Sequence, residues 1–256
     1  MSRQRPFQRM RDGRRVARVL AVALVPLSGA VASASALQAT KVAQHVASAT
    51  VPAPSRVATI FISTTDRMLW LVSGRDTLFA APIAIGMGKD FEYNGRKYHF
   101  STPTGERTVI GKSPDPIWTP PDWHYYEKAA RKGLEAVHLN ADSKLQLSDG
   151  SFLVVRGDQV GRINQFGHFA TFTPGNEIIF DGMIFIPPLS SAQRRVPDAL
   201  GPYKLDMGDG YLIHGTHIYN KESIGQAVSH GCVRMRNEDV TRLYAMVEPG
   251  TKVVIF

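Results

Sequence analysis

The sequence predicts a mainly β fold, a sheet assembly with a few short helices, in one domain at 56–256. Three observations predict it: the apolar runs are short and rich in β-branched residues, Gly, Asp and Pro separate them, and helical periodicity is confined to two stretches. A domain of roughly 200 residues is long enough to bury a single core.

The predicted strands begin with "RVATIFISTTDRMLWLVSGRDTLFAAPIAIGMG" at 56–88, where Thr-Asp and Gly-Arg-Asp turns separate three apolar runs. Further strands are predicted in "SFLVVRG" at 151–157, "NEIIFDGMIFIPP" at 176–188, "GYLIHGT" at 210–216 and "TKVVIF" at 251–256. These runs are too short for a helix-based core, so they favour sheets.

Two helices are predicted. The first is "WHYYEKAARKGLEAV" at 123–137. The second lies in "NEDVTRLYAMVEPG" at 237–250, where Asn237 can cap a helix that stops before Pro249 and Gly250. Between strands and helices, "STPTGERTVIGKSPDPIWTPPDW" at 101–123 is dense in Pro and polar turn residues. It is predicted to be a surface loop with two buried tryptophans, or a loop whose aromatic residues and prolines line a groove.

Residues 1–36 are predicted to be a secretory signal peptide, because an arginine-rich start precedes a short apolar run that ends in Ala-Ser-Ala. The apolar run is short for a membrane span. Residues 37–55, rich in Ala, Ser, Thr, Val and Pro, are predicted to be a flexible linker. The expected location is therefore the periplasm or the cell envelope.

The net charge of +8 does not indicate a nucleic-acid partner. Residues 1–36 hold seven Arg and one Asp, which leaves 23 basic and 21 acidic residues in the rest of the chain. No basic run with interleaved aromatic residues remains there. Most of the excess of basic residues therefore lies in the predicted signal peptide.

Cys232 is the only cysteine, so no internal disulfide can form. In an exported protein a lone thiol is either buried and inert or retained for its reactivity. It lies in "IHGTHIYNKESIGQAVSHGCVRM" at 213–235, which also holds three of the eight histidines. This density of reactive side chains beside glycines favours a site over a packing role.

A nucleophilic cysteine needs a base, a group that orients the base and donors for an oxyanion. His230 is too near in sequence to turn its ring toward Cys232 easily, so His214 is the better base, with the carbonyl of Gly215 free to hold its second nitrogen. Gly231 allows a tight turn with amides directed at one point. Papain-like peptidases carry the cysteine before the histidine, and this chain has the opposite order.

Two other interpretations remain open. A zinc site can be written from His214, His217, His230 and Cys232, although no second cysteine pair supports it. Alternatively the histidines are satisfied core or turn residues and Cys232 packs as a small apolar side chain. We predict no metal and no cofactor.

His214, followed after fourteen residues by Ser229-His230-Gly231-Cys232 and then Arg234, resembles the signature of the L,D-transpeptidase (YkuD-type) catalytic domain. The segments "STPTGERTVIGK", "PIWTPPDW" and "ALGPYKLDMGDGYLIHGT" are similar to other parts of that family. The resemblance runs from about 57 to 256 and is weak at 130–195, where "GRINQFGHFATF" has no assignment.

The resemblance implies an L,D-transpeptidase-type β-sandwich and an exported enzyme that acts on peptidoglycan stem peptides. A donor tetrapeptide would form a thioester, and transfer to an amine would give a 3→3 cross-link. Water as acceptor would make the enzyme an L,D-carboxypeptidase, and a lipoprotein lysine would make it an anchoring enzyme. Two further alternatives are a zinc-dependent hydrolase and a non-catalytic wall-binding module with the same fold. No separate wall-binding module is recognisable before the domain, so targeting would come from its own groove or from a wall-associated partner.

The resemblance also implies roles for single residues. Cys232 would be the nucleophile, His214 the general base, and Gly215 the carbonyl that orients it. The amides of Gly231 and Cys232 would be oxyanion donors. Ser229 and His230 would shape the turn and the substrate wall, Arg234 would bind a substrate carboxylate or hold the turn through a salt bridge, and His217 has no implied role.

Overall fold

Strands dominate residues 57–256, the part of the chain that this computed structural model describes, which confirms the predicted mainly β class. The predicted signal peptide at 1–36 and linker at 37–55 lie outside the described residues. The strands, in chain order, are β1 (Ala58–Ser63), β2 (Met68–Ser73), β3 (Asp76–Pro82), β4 (Ile85–Gly86), β5 (Lys89–Tyr93), β6 (Arg96–Phe100), β7 (Gly105–Thr108), β8 (Gly111–Pro114), β9 (Glu135–His138), β10 (Lys144–Gln146), β11 (Phe152–Arg156), β12 (Gln159–Ile163), β13 (Phe169–Thr171), β14 (Ile178–Phe180), β15 (Met183–Ile186), β16 (Tyr203–Asp206), β17 (Leu212–His214), β18 (Ala227–Ser229), β19 (Val233–Arg234) and β20 (Lys252–Ile255). The helices are α1 (Asp122–Lys132) and α2 (Asn237–Met246), with 3-10 helices at Ala192–Arg194 and Ile218–Ser223.

The first sheet has the strand order β3-β2-β1-β20-β7. Its first three strands form an antiparallel meander, as the three apolar runs at the start of the domain predict. β20 pairs in parallel with β1 and antiparallel with β7, so the C-terminal strand lies inside the sheet. Alternating burial along β2 shows that one face of this sheet is packed and the other is more open.

The second sheet has the order β19-β17-β16-β8, and it carries the segment with the cysteine. β17 and β19 are parallel neighbours, with Ile213 opposite Val233 and His214 opposite Arg234. α2 starts directly after this region and packs against β16. The two sheets and α2 share one apolar core, whose fully buried members include Ile60, Ile62, Leu69, Leu71, Leu205, Ile213, Val233, Val240, Leu243 and Val253.

The middle of the chain, 115–202, forms a separate group of elements between the neighbouring strands β8 and β16. It contains a four-stranded sheet, β10-β11-β12-β13, and a three-stranded sheet, β14-β15-β9. α1 packs against β9 and β15, and a second apolar cluster joins the two small sheets. The Asp115 N–H donates to the Pro202 carbonyl at 2.8 Å, so the segment leaves and re-enters the second sheet at one point.

Three sequence predictions differ from the structure. The first helix ends at Lys132 rather than at 137, because Gly133 adopts a left-handed conformation (φ 65°) and Glu135–His138 pairs with β15 instead. Asn237 is the first residue of α2 and not its cap, which is Arg236. The 101–123 segment is not one loop, since β7 and β8 lie within it and its two tryptophans, Trp118 and Trp123, are only half-buried.

The remaining strands at 151–157, 176–188, 210–216 and 251–256 are confirmed. Among residues 57–256, no helix has the length and apolar character needed to cross a membrane.

Candidate active site

His214 and Cys232 come from neighbouring parallel strands. His214 is the last residue of β17, and Cys232 immediately precedes β19. In paired strands, residues that are opposite each other or two apart project from the same face. The register, with His214 opposite Arg234, therefore brings His214, Arg234 and Cys232 to one face of the second sheet.

Cys232 is half-buried, and its thiol donates to the carbonyl of Gly210 at 3.7 Å. Burial raises the pKa of the thiol above its usual value of 9.0, and the carboxylate of Asp206 acts in the same direction. The Leu212 N–H and the positive charge of Arg234 oppose this rise. Because burial is the largest effect, the resting group is a thiol and not a thiolate at neutral pH.

The imidazole of His214 is 4% exposed. Burial, and to a smaller extent the positive charge of Arg234, lower its pKa from 6.5 to about 4, so the ring is neutral at pH 7. The backbone carbonyls of Gly215 and Leu200 act on the ring as acceptors and oppose this lowering of the pKa. Nδ1 is buried without a hydrogen-bond partner among the described residues.

A tight turn at 229–232 presents Cys232. Gly231 has φ 134°, a conformation that only glycine adopts without strain, and a Cβ there would lie 2.9 Å from the ring of Tyr211. The Ser229 hydroxyl accepts a hydrogen bond from the Gly231 N–H at 3.1 Å and donates to the Cys232 carbonyl at 2.6 Å. Ser229 is 1% exposed, so its side chain braces the turn and does not line an open groove.

Two residues that hold this region were not identified from the sequence. Thr102 donates from its hydroxyl to the Gly231 carbonyl at 2.8 Å. Asn237 accepts a hydrogen bond from the Thr216 N–H at 2.8 Å through its side-chain oxygen. The only sequence signal for Thr102 was the Thr-Pro-Thr-Gly similarity, and Asn237 was interpreted as a helix cap.

The side chain of His230 is directed toward α1. Its Nε2 lies 3.1 Å from a carboxylate oxygen of Glu127, and its ring stacks on Trp123 with centroids 4.4 Å apart. Phe100 approaches the same ring edge-on at 4.5 Å. Burial lowers the pKa of His230, although the carboxylate of Glu127 opposes that effect. His230 therefore anchors the turn at 229–232 to α1 and to the aromatic side chains of Phe100 and Trp123.

Arg234 is half-buried, and its backbone pairs with Ala84 in both directions at 2.8 and 2.9 Å. Within residues 57–256 its guanidinium makes no ion pair, so the salt bridge considered from the sequence has no partner there. Its charge acts on both His214 and Cys232. A positive group of this kind, beside a thiol and without a counterion, is well suited to bind a carboxylate.

The structure does not support the zinc interpretation: among residues 57–256, no three His, Cys, Asp or Glu side chains lie close enough together to hold a metal ion. His217, one of the four residues considered, accepts a hydrogen bond through its carbonyl from the Asn220 N–H at 2.8 Å.

Comparison with known proteins agrees with the resemblance. The family YkuD, described as the L,D-transpeptidase catalytic domain, matches residues 58–255. YkuD of Bacillus subtilis (strain 168), which is named as an L,D-transpeptidase, is 32% identical over 152 residues, covering 59% of this chain and 75% of that protein. YbiS of Escherichia coli (strain K12), also named as an L,D-transpeptidase, is 40% identical over 84 residues, covering 32% of this chain. That match spans only 27% of YbiS.

Solved structures give weaker likenesses. An L,D-transpeptidase from Xylanimonas cellulosilytica DSM 15894 has a TM-score of 0.41 and 16% identity, covering 85% of this chain and 69% of that one. L,D-transpeptidase 3 of Mycobacterium tuberculosis, in complex with a faropenem-derived adduct, has a TM-score of 0.40 and 14% identity, covering 78% and 60%. Since the family match extends over almost all of the described residues, the chain belongs to the L,D-transpeptidase catalytic domain family.

Proposed function

We propose that the protein is an exported, cysteine-dependent L,D-transpeptidase that cross-links peptidoglycan stem peptides. The Cys232 sulfur attacks the carbonyl of the L-centre of meso-diaminopimelate in a donor tetrapeptide, a thioester forms, and the terminal D-Ala leaves as its amine. The side-chain amine of a second stem then attacks the thioester, and the thiol is regenerated with a 3→3 cross-link. The observation that carries this proposal is the common strand face of His214 and Cys232.

Proton movement follows from the two shifted pKa values. The His214 ring is neutral because its pKa is about 4, so it can accept the thiol proton as the sulfur attacks. The imidazolium that results is disfavoured by burial, and it readily gives the proton to the departing amine. In the second half-reaction the same ring takes a proton from the acceptor amine and returns one to the sulfur.

The developing oxyanion needs amide donors near the sulfur. The Gly231 N–H, one of the two expected donors, already donates to the Ser229 hydroxyl at 3.1 Å. We therefore assign the principal donor role to the Cys232 N–H. Gly231 supplies the turn conformation that this arrangement needs, and its own amide becomes a second donor if the Ser229 hydrogen bond opens.

Arg234 binds a carboxylate of the donor stem in this proposal. The support is its unpaired, half-buried guanidinium beside Cys232. A stem tetrapeptide carries carboxylates at the D-Ala terminus and on the diaminopimelate side chain, and a guanidinium can hold either one with two parallel hydrogen bonds. Gly215 orients His214 from its carbonyl side, which is supported by the carbonyl's effect on the pKa of the ring.

The group that accepts the acyl chain from the thioester would decide which of three reactions the same domain carries out. Water would release a shortened stem as a carboxypeptidase does, and a lipoprotein lysine would anchor that protein to the wall. Action in the periplasm or cell envelope and a wall-associated partner are part of the proposal, and they rest on the composition of residues 1–55.

Incubation with a carbapenem tests the proposed nucleophile. The protein should gain the mass of one carbapenem molecule, because a thiol that attacks a strained carbonyl stays attached as a thioester. Intact-mass analysis measures this adduct, and the C232A variant should gain none. A wild-type protein without an adduct, or a C232A protein with one, contradicts the proposed reaction.

Two histidine variants are matched controls in the same assay. H214A should lose acylation, because no base then takes the thiol proton, with an expected decrease of about 10²-fold or more. H230A should retain acylation at a rate closer to that of the wild type, since its ring faces Glu127. The reverse order of the two rates would contradict the choice of His214 as base.

A further inference from the structure

A buried threonine fixes the peptide unit that joins Gly231 to Cys232. Thr102 is 7% exposed, and its hydroxyl accepts a hydrogen bond from the Gly86 N–H at 2.8 Å while it donates to the Gly231 carbonyl at 2.8 Å. One hydroxyl group thus connects β4 to the nucleophile turn, which is 129 residues away from Thr102 in sequence.

The threonine itself is held firmly. A Cβ on Gly86 would lie 2.5 Å from the Thr102 nitrogen, so the two backbones are in close contact and only glycine fits at 86. Pro103 follows Thr102, and a following proline restricts the backbone of the residue before it. The hydroxyl is therefore presented from a rigid support, unlike a side chain on a mobile loop.

The geometry of the peptide bond turns this contact into an effect on the proposed oxyanion donor. In a planar trans peptide unit the carbonyl and the N–H point in opposite directions. A hydrogen bond that fixes the Gly231 carbonyl therefore also fixes the direction of the Cys232 N–H. Among the hydrogen bonds of the described residues, none uses the Cys232 N–H, whereas the Gly231 N–H and the Cys232 carbonyl are both bound to Ser229.

We propose that Thr102 is a positioning residue for the oxyanion donor: its hydrogen bond to the Gly231 carbonyl directs the Cys232 N–H at the substrate oxygen. This inference rests on the proposed function, because an oxyanion forms only when Cys232 attacks a carbonyl. Thr102 does not touch the substrate in this arrangement, and it acts through the rotation of one peptide unit. Ser229 binds the Gly231 N–H and the Cys232 carbonyl, which belong to the peptide units on either side. The unit between Gly231 and Cys232 is held by the hydrogen bond from Thr102 to the Gly231 carbonyl.

The test compares two reactions of the same thiol in T102V, which keeps the shape of the side chain and removes its hydroxyl. Acylation by a carbapenem forms an oxyanion, whereas alkylation by iodoacetamide displaces iodide from a saturated carbon and forms none. T102V should slow acylation by about 10²-fold, the effect typical of one lost oxyanion donor. Alkylation should stay within about twofold of the wild-type rate, since the sulfur remains as exposed and as acidic as before.

Conservative rescue and a matched control complete the design. T102S keeps the hydroxyl and should restore acylation. S191A removes another buried hydroxyl, which donates to the Pro188 carbonyl at 2.8 Å within the 115–202 segment, and should leave both rates unchanged. Thermal unfolding checks that each variant is folded, and T102A is the second variant if T102V is not.

The outcomes separate this inference from the proposed function. If the wild type and T102V are acylated equally fast, Thr102 does not position the donor and the inference is wrong while the proposed function stands. If T102V slows alkylation as much as acylation, the turn itself has been disturbed and the specific role is again wrong. A wild type that is not acylated at all contradicts the proposed function, and the inference with it.

Discussion

At the scale of single residues, the candidate site combines a neutral imidazole with a neutral thiol. Burial lowers the pKa of His214 to about 4 and raises that of the Cys232 thiol. Each shift disfavours the charged form of its group, so the resting pair is not a thiolate and an imidazolium. In the proposed reaction, proton transfer from the thiol to His214 would therefore accompany formation of the carbon–sulfur bond.

We predict a pH profile from these shifts. Protonation of His214 removes the base, so carbapenem acylation should fall to half near pH 4 and not near 6.5. Iodoacetamide alkylation should instead rise with pH and reach its midpoint above the usual thiol value of 9.0, because burial raises that pKa. Rates measured by intact mass from about pH 3 to about pH 11 would check the acidic midpoint of acylation and the basic midpoint of alkylation.

Folding must be monitored at the acidic end of this experiment. His214 ionises near 6.5 in the unfolded chain and near 4 in the folded one, so protons favour the unfolded chain as the pH falls through that window. Circular dichroism on the same samples distinguishes loss of the base from loss of the fold. An alkylation plateau already reached below pH 7 would indicate an ion pair and contradict the neutral resting state.

At the scale of secondary-structure elements, the start of α2 supports the end of β17. The side-chain oxygen of Asn237 accepts the hydrogen bond of the Thr216 N–H, two residues after His214. Gly201 and Gly215 leave room for this side chain, since a Cβ on either would lie 2.5 Å from its oxygen. The end of β17, with His214, is thus held from α2 as well as from the second sheet.

We predict that N237A lowers stability and acylation together. The variant leaves a partly buried N–H without an acceptor, which costs about 1–3 kcal/mol, and it loosens the strand end that carries His214. N237D keeps an acceptor oxygen at the start of a helix and should remain close to the wild type. Urea unfolding and acylation rates would measure the two effects, and an N237A protein with wild-type values of both would contradict this role.

Local patterns predicted most elements but not the contacts between them. The meander at 58–82 follows from alternating apolar residues with turns between them, and the lone cysteine beside two His-Gly pairs identified the candidate nucleophile and base. Glu135–His138 was wrongly predicted to be helical. Its strand conformation depends on pairing with Met183–Ile186, which is too far away in the sequence for a local pattern to reveal. Thr102 and Asn237 were missed for the same reason, since each acts on a residue far away in the sequence.

At the scale of the whole molecule, one buried arginine holds the 115–202 segment together. The Arg194 guanidinium is 3% exposed and donates to the carbonyls of Pro120 and Pro187 at 2.8 Å each. It also pairs with the carboxylate of Asp122, the first residue of α1. Because α1 carries Trp123 and Glu127, which contact His230, this arginine supports one wall of the candidate site from a distance.

We predict that R194M destabilises the protein by about 3–5 kcal/mol. The substitution leaves a carboxylate and two carbonyls without their buried partner, which is the costly way to break a buried ion pair. The neighbouring R195A changes an exposed side chain and should alter stability by about 0.5 kcal/mol or less. Denaturant unfolding of the two variants would compare them, and equal stabilities would contradict the central role of Arg194.

The interior position of β20 makes the completion of the first sheet depend on residues 252–255. Residues 252–255 are synthesised after every other strand, yet they pair with both β1 and β7 in the first sheet. Until these residues emerge, β1 has no neighbour on that side and the shared core lacks Val253. Contacts between such distant parts of a chain form slowly. A chain without residues 252–255 would therefore contain Cys232 and still lack the strand that joins β1 to β7 in the first sheet.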